Sequence, residues 1–307
     1  MKKHLFYVLW MVVLQSYQSP GQDYYYNDRY YEQPVLIEGG VSAGGINCLT
    51  DLGGGPGTGK RYFKDLNLPN TKSCIGIHLG LTYGYSMAIR LMAITGKICA
   101  YDSILREDGT VAMFRRQRNL SFQSNIAEVS VAAEFYLPGV ARASPERQRR
   151  MITPFACVGI GVFHFDPRAR LNGKWYSLHS FHTEGEGFLS YPDRKPYSLT
   201  QLNYQAGIGL RYEVSALLHL RIEIIHRVLK TDYLDDVSTN YVDPRFFEIY
   251  LPPEKALIAK QLADKRIPGA TNQRVAIGEK RGDSKNMDSY FTCMVRLGYI
   301  LNRIKAH

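Results

Sequence analysis

Strict alternation of apolar and polar residues over Gln201–Val214 is the feature that most constrains the fold of this chain. Every even position there is apolar or aromatic, and every odd position is polar or glycine. A helix cannot gather a period of two onto one face, so the pattern predicts a β-strand. The alternation resumes over Leu218–Arg227, which predicts a second, adjacent strand. Such a pair either buries its apolar face against a second layer or turns that face toward lipid.

The N-terminus has the pattern of a secretory signal peptide. Lys2 and Lys3 precede an apolar run over Leu5–Leu14, and the small residues Ser19 and Gly21 follow. We therefore predict a signal peptide over residues 1–21, because the apolar run is too short to span a bilayer. No later apolar run is long enough for a membrane helix, so any membrane crossing has to use strands.

Six further alternating segments bring the predicted number of strands to eight. They are Val35–Ile46, Ile75–Tyr83, a strand led by Met87, one ending at Leu137, Phe155–Phe165 and Met287–Ile304. In the fourth strand Leu120 and Phe122 fall on the opposite parity, which we interpret as a bulge near Ser124 or as a strand that rises out of the membrane.

The connections between these strands are sorted by length. Long loops are predicted at about 47–73, 101–118, 167–200 and 231–286, the last with a helix over Pro253–Lys265, whereas the intervening connections are shorter. Long loops on one side and short turns on the other are typical of outer-membrane barrels. The sequence therefore predicts an all-β fold: an eight-stranded antiparallel transmembrane β-barrel over residues 35–304, with long extracellular loops and short periplasmic turns. A Tyr-rich periplasmic tail at 22–34 precedes it, and a short tail at 305–307 follows.

The polar parity of the strands carries equal numbers of acidic and basic residues. The acids are Glu38, Glu128, Glu134, Glu213 and Glu223, and the bases are Arg90, Arg211, Arg221, Arg227 and Arg296. An eight-stranded barrel has room inside only for side chains, so these ten residues are predicted to form an ion network that plugs the lumen. A soluble lipocalin-like barrel would show the same alternation, but its apolar face would point inward and its charged face outward. The charge balance and the sorted loops favour lipid outside.

Charge and motifs argue against several function classes. The formal net charge of +10 is spread along loops, which does not indicate a nucleic-acid partner. Gly54–Lys60 has phosphate-loop spacing, but Arg61 follows the lysine where a Ser or Thr is needed, so we expect a flexible loop and no nucleotide. No catalytic set, cofactor or metal site is assigned.

Several residue groups leave alternatives open. One group could bind a metal ion or simply be solvated in a loop: His179, His182, Glu184 and Glu186. In a second group the carboxylates are held either by backbone N–H groups and nearby Arg or Lys, or by a bound cation: Asp232, Asp235, Asp236 and Asp243. His78, His219 and His226 are either core histidines paired with Glu or Tyr, or part of a lipid-modifying enzyme. Cys48 and Cys74, two of five cysteines, can pair in an oxidising compartment.

The run over Thr231–Tyr241, TDYLDDVSTNY, followed by Asp243 and Pro244, closely resembles the signature of PorG-like outer-membrane barrels. Further segments that resemble this family are Gly39–Gly53, Pro154–Pro167, Trp175–Leu178, Thr183–Gly187 and Tyr191–Lys195. The family-signature loop consists of Thr231, Asp232, Tyr233, Asp235, Asp236 and Asp243.

The resemblance implies a non-catalytic component of the type IX secretion system, which exports proteins and supports gliding motility in some relatives. It implies residence in the outer membrane of a Gram-negative envelope. The implied partners are a PorK/GldK-like ring lipoprotein and a PorN/GldN-like periplasmic protein, besides outer-membrane lipid. The rival interpretations are a free-standing adhesion or envelope-stability barrel and a lipid-modifying enzyme.

Two basic or aromatic segments at the periplasmic end are the predicted partner-binding elements. The residues are Arg142, Arg147, Arg149 and Arg150 in one connection, and Tyr24, Tyr25 and Tyr26 in the N-terminal tail. A basic and aromatic rim suits protein recognition, because arginine and tyrosine are enriched at interfaces.

Overall fold

A closed antiparallel barrel of eight strands is present in the described part of the chain, which confirms the predicted fold class. The computed structural model describes residues 34–53, 67–84, 86–104, 115–137, 152–266 and 277–304. The barrel strands are β1 (Val35–Leu49), β2 (Lys72–Tyr83), β3 (Met87–Tyr101), β4 (Ser121–Tyr136), β5 (Ile152–His164), β8 (Thr200–Glu213), β9 (Leu218–Leu229) and β10 (Ser289–Ile300).

Each barrel strand pairs with its neighbours along the chain, and the first and last strands close the ring. The seam joins β1 to β10 in continuous register from Glu38 opposite Ile300 to Leu49 opposite Ser289. One end of the barrel carries the connections β2–β3, β4–β5 and β8–β9, and we refer to it as the turn end. The other carries the four long connections and is the loop end.

Side chains alternate across the wall as the sequence predicts, with apolar groups outside and charges inside. The outward residues Ile208, Ile222 and Leu297 are largely exposed, whereas Arg90 and Arg296 are 1% exposed. A soluble barrel would have the reverse arrangement. Apolar residues outside and paired charges inside are the distribution of a membrane barrel, which supports an integral outer-membrane location.

The predicted bulge near Ser124 is wrong. The pairing of β3 with β4 runs without interruption from Tyr101 opposite Ser121 to Met87 opposite Phe135. Phe122 and Leu120 are buried because the interior of the barrel becomes apolar toward the loop end. Polar residues therefore do not mark the inward face along the whole strand.

Other element bounds differ in detail from those predicted. β1 continues to Leu49, β5 begins at Ile152, and β10 spans Ser289–Ile300 only. The third long loop contains a hairpin of β6 (Arg168–Leu171) and β7 (Lys174–Ser177), which the sequence interpretation missed. The fourth contains α1 (Arg245–Tyr250), also missed, and α2 (Pro253–Ala263), which ends before the predicted Lys265.

A hydrophobic core lies at the loop end and continues into the long loops, whose described parts fold together as a cap over the barrel. Strand residues such as Ile46, Ile126 and Phe163 share one cluster with Phe188 and Phe247 from the third and fourth loops. Among the described residues, no helix has the length and apolar character needed to cross a membrane.

Several predicted segments fall outside the described residues. They are the signal peptide at 1–21, the Tyr-rich tail at 22–34 apart from Pro34, the glycine loop at 54–60, the tail at 305–307, and Arg142, Arg147, Arg149 and Arg150. These stay predictions from the sequence.

Replacing Ile222 with arginine tests which face meets lipid. Ile222 points outward from the middle of β9. We expect Ile222→Arg to lower the free energy of unfolding in lipid vesicles by about 2–4 kcal/mol, because the charge would lie near the bilayer midplane. Urea titration of vesicle-reconstituted protein measures it. Leu257→Arg, on the exposed face of α2, is the control; equal stability of the two variants would contradict a lipid-facing wall.

Candidate functional site

All ten residues predicted for the lumen ion network lie on the inward face and are buried. Direct ion pairs do not join them into one continuous network. Contacts divide them into a group around Glu38, a group around Glu134, a separate pair of Glu128 with Arg227 nearer the loop end, and the pair of Arg211 with Glu213 at the turn end.

Glu38 gathers three cationic or titratable side chains near the turn end. Arg221 donates from both terminal nitrogens to the two carboxylate oxygens, the second at 3.0 Å. The Nε2 of His78 lies 3.1 Å from Oε1, and the Nδ1 of His219 lies 2.8 Å from Oε2. Both histidines are thus core residues that pair with Glu, the first of the two alternatives given for them.

Room for Glu38 is provided by Gly298 on the neighbouring strand β10. A Cβ added at Gly298 would overlap the carboxylate of Glu38. The absence of a side chain at that inward position therefore lets the acid reach across the lumen toward β9.

The second group crosses the lumen from wall to wall. Arg90 donates to Glu134 at 2.8 Å and to Glu223 at 2.9 Å, and Arg296 lies 2.7 Å and 3.4 Å from the same two acids. Two acids and two bases balance their charge within the group. Neutralisation matters here because an unpaired charge removed from water is strongly destabilising.

Tyrosines that the sequence interpretation does not place in the lumen complete its contacts. The hydroxyl of Tyr136 donates to Glu134 at 2.5 Å and accepts from Arg221 at 3.3 Å. The guanidinium of Arg211 stacks on the Tyr136 ring, 4.1 Å from the ring centre. Tyr290 hydrogen-bonds Glu128. Their inward parity is the signal that could have placed them there.

The pair nearer the loop end borders the apolar core, to which Tyr290, the hydrogen-bond partner of Glu128, belongs. Arg227 lies 2.6 Å from Glu128 and donates to Thr292 at 3.0 Å, while Asn203 donates to Glu128 at 3.0 Å. With the groups below it, this pair fills the lumen with paired side chains, so the barrel is built as a plug.

The family-signature loop lies inside the cap, where two arginines bind the loops together. Arg281 donates to Glu184 of the third loop at 2.8 Å and to the carbonyl of Asp236 at 2.6 Å. Arg118 lies 2.7 Å from Asp102 and donates to the carbonyls of Asp51 and of Arg281. The sequence interpretation missed both arginines, because neither belongs to a periodic pattern.

The carboxylates of the signature loop have local partners, with one exception. Asp235 accepts from the N–H groups of Leu52 and Val237, Asp236 accepts from the hydroxyls of Thr183 and Tyr197, and Asp243 pairs with Arg245. Burial raises the pKa of Asp236 to about 6, although Arg281 and these two hydroxyls favour its ionised form.

Asp232 is the exception. Neither of its carboxylate oxygens has a hydrogen-bond partner of normal geometry among the described residues, although Ser238 lies close enough to favour the ionised form. Burial, together with the nearby charges of Asp51 and Asp235, raises its pKa to about 9. Burial also raises the pKa of Asp288, which faces the same three acids.

The described residues contain no group of three or more His, Cys, Asp or Glu side chains arranged to hold a metal ion. Glu184 accepts from the N–H groups of Ser238 and Thr239, and the Nε2 of His179 contacts the carbonyl of Tyr197 at 2.9 Å. Glu184 and His179 therefore make their contacts within the protein.

All five cysteines are free, so of the two possibilities left open for Cys48 and Cys74 the structure has the unpaired one. Cys74 lies opposite Gly44 in the pairing of β1 with β2, four residues before Cys48 along β1. Two side chains displaced that far along neighbouring strands cannot be bridged, because a disulfide needs Cα atoms within about 7 Å.

No protein-family model and no curated protein matches the sequence. Crystal structures with a similar strand arrangement include neisserial surface protein A, at 6% identity and a TM-score of 0.39 over 88% of this chain and 98% of that one. Ail of Yersinia pestis, bound to sucrose octasulfate, has 8% identity and a TM-score of 0.35 over 89% and 99%. The outer membrane enzyme PagL has 9% identity and a TM-score of 0.24 over 87% and 99%. Values this low carry no functional inference.

Glu134→Gln tests whether the lumen network stabilises the barrel. The substitution leaves Arg90 and Arg296 short of one buried counter-charge, and we expect it to lower the free energy of unfolding by about 3–5 kcal/mol. Urea titration in vesicles measures the loss, and Glu254→Gln on exposed α2 is the control.

Planar-bilayer recording checks the same network independently. Wild-type protein is expected to show no steady large conductance, because paired side chains fill the lumen. An open-channel current from wild type, or unchanged stability of Glu134→Gln, would contradict a structural plug.

Asp232→Asn tests the buried acid of the cap. Its raised pKa means that the folded chain holds a proton which the unfolded chain releases near 3.8. The stability that this group contributes is therefore complete below about pH 4 and is lost as the pH rises toward about 9. We expect the protection of amides in 230–266 and 277–288 against exchange, relative to their intrinsic rates, to fall in wild type between about pH 5 and about pH 8, and the Asp232→Asn substitution to flatten that dependence.

Asp243→Asn is the matched control in the same loop. Hydrogen bonds from Arg245 hold the pKa of Asp243 below its usual value, so that acid stays ionised over this pH interval. Its replacement is expected to leave the pH profile unchanged in shape. Identical profiles for wild type and Asp232→Asn would show that Asp232 does not govern the cap.

Proposed function

We propose that this protein is a non-catalytic outer-membrane component of the type IX secretion machinery. In this role the barrel anchors or helps to assemble a periplasmic ring at the outer membrane. The partners would be a PorK/GldK-like ring lipoprotein and a PorN/GldN-like protein.

The observation that carries the proposal is the filled lumen. Arg90 and Arg296 cross the barrel to shared acids, and an apolar layer with a folded cap lies beyond them. A barrel closed in this way offers no route for a solute or a protein through its own interior. Its work then belongs to its two ends, which is what an anchor requires.

The buried state of the signature loop supports a structural role for it. Asp235 and Asp236 bind N–H groups and hydroxyls inside the cap, and neither is presented to a ligand. A motif whose acids organise a cap is consistent with an assembly factor and needs no substrate.

The turn end is the side that faces a periplasmic partner. Its basic connection carries Arg142, Arg147, Arg149 and Arg150, offset by Glu146 alone, for a net charge of +3 over residues 141–150. Like charges so close together gain from an acidic partner, which also accepts charge-assisted hydrogen bonds. Tyr24, Tyr25 and Tyr26 would add aromatic contacts from the N-terminal tail.

An adhesion barrel is the second candidate because the cap exposes large apolar side chains. Leu189 is 85% exposed, Ile249 67% and Leu257 63%. Exposed apolar residues beyond the membrane suit a binding surface at the opposite end of the barrel. Co-purification with a periplasmic ring distinguishes the secretion role from this one.

Replacement of Arg142, Arg147, Arg149 and Arg150 by Gln tests the secretion role. We expect correct insertion, a several-fold loss of ring proteins co-purified from solubilised envelopes, and a parallel loss of cargo export. The reason is that four charge-assisted contacts to the ring are removed together.

The matched control carries Gln at Lys174, Lys195, Lys255 and Lys285, four exposed lysines of the cap, and is expected to retain the ring. If the arginine variant inserts and keeps both ring and export at wild-type level, the basic connection is not the docking surface. If wild type itself brings down no ring protein, the secretion role fails.

A further inference from the structure

The outer wall of the barrel continues past its apolar band as a folded, basic face. β6 extends β5 along β4 in unbroken register, since Ala127 lies opposite His164 and Gln123 opposite Arg168. The outward side of this wall passes from apolar Ile160 and Val162 to His164 and then to arginine.

Three cationic side chains and a tryptophan lie on the part of the outer wall that extends past β5. We define the basic hairpin face by Lys97 on β3, Arg168 and Arg170 on β6, and Trp175 on β7. Arg170 pairs with Trp175 across the hairpin, and Lys97 lies opposite Asn125 on β4, next to the wall that β6 extends. All four side chains are exposed.

The charge of this face is largely uncompensated. Asp166 contacts Arg168 at 2.7 Å, whereas no carboxylate among the described residues pairs with Lys97 or Arg170. A single acid beside three cations leaves a net positive surface. Such a surface favours an anion with several oxygen acceptors.

The height of the face matches the headgroup region. Arg168 lies four residues beyond His164, or about 13 Å along a strand that tilts by about 40°. Arg168 therefore lies about 10 Å above His164 along the barrel axis. From that height its long side chain can extend back toward the level of His164. Trp175 is 44% exposed, as suits an indole at a membrane interface.

The face is held rigidly from behind. Ala169 is 2% exposed, and Tyr176 packs its ring edge-on against Phe181 at 5.7 Å. The turn of the hairpin is Asn172–Gly173, both at positive φ, as a tight two-residue hairpin requires. Cations on a fixed platform lose little freedom when they bind.

We propose that the basic hairpin face binds the phosphate groups of lipid headgroups in the outer leaflet. Charge complementarity and direct continuity with the lipid-facing wall support this occupant over a soluble anion. The proposal rests on the outer-membrane location proposed above, with the loop end outside, and is independent of any periplasmic partner.

The experiment measures lipid retained around the full-length barrel in nanodiscs. Phosphatidylcholine nanodiscs are doped with diphosphorylated lipid A or with chemically dephosphorylated lipid A, and native mass spectrometry counts the bound lipid. Wild type should enrich the diphosphorylated form. A variant with Gln at Lys97, Arg168 and Arg170 should lose about fivefold for each cation removed, since one surface cation contributes about 1 kcal/mol.

A charge-matched variant with Gln at Lys195, Lys255 and Lys285, on the cap, controls for net charge. It should retain the wild-type enrichment. Equal retention by all three proteins, or equal enrichment of the dephosphorylated lipid, would overturn the proposal. Ring co-purification of the hairpin variant should stay at wild-type level, so a failure here is distinct from a failure of the secretion role.

Discussion

A guanidinium group taken out of water has to meet a carboxylate, and that requirement organises the whole barrel. The lipid-facing wall is apolar, so each inward charge lies in a space with little water. Arg90 and Arg296 share the acids Glu134 and Glu223, and Arg221 binds Glu38 with both terminal nitrogens. Because these contacts run from wall to wall, the same pairing that neutralises the charges also closes the lumen.

In the cap, too, buried arginines bind acids, but there they also donate to backbone carbonyls. Arg118 links the first two long loops to the fourth, and Arg281 links the third to the fourth. A stack of rings from Phe165 through Tyr197 to Tyr233, with centroids 6.1 Å and 4.8 Å apart, fixes the loops to one another. The described parts of the four loops therefore form one folded layer on the barrel.

Alternation in the sequence was sufficient to predict the eight strands and the ten inward charges, because period two is a local property of each strand. It could not predict how those charges divide into groups, since partners such as Glu38 and Arg221 are 183 residues apart. It also misplaced Leu120 and Phe122, because the inward face becomes apolar where the cap begins. Arg118 and Arg281 carry no periodic signal, and only the folded loops bring them to their acids.

The seam between β1 and β10 brings together charged groups from the two ends of the chain. Glu38 lies on the first strand, while Arg221, His219 and the notch at Gly298 belong to the last two. Until the ends of the chain meet, Glu38 lacks Arg221 and His219, and Arg221 lacks its carboxylate. An unclosed sheet therefore exposes at its two edges charges that the finished barrel pairs, so these seam contacts favour a complete ring over an open one.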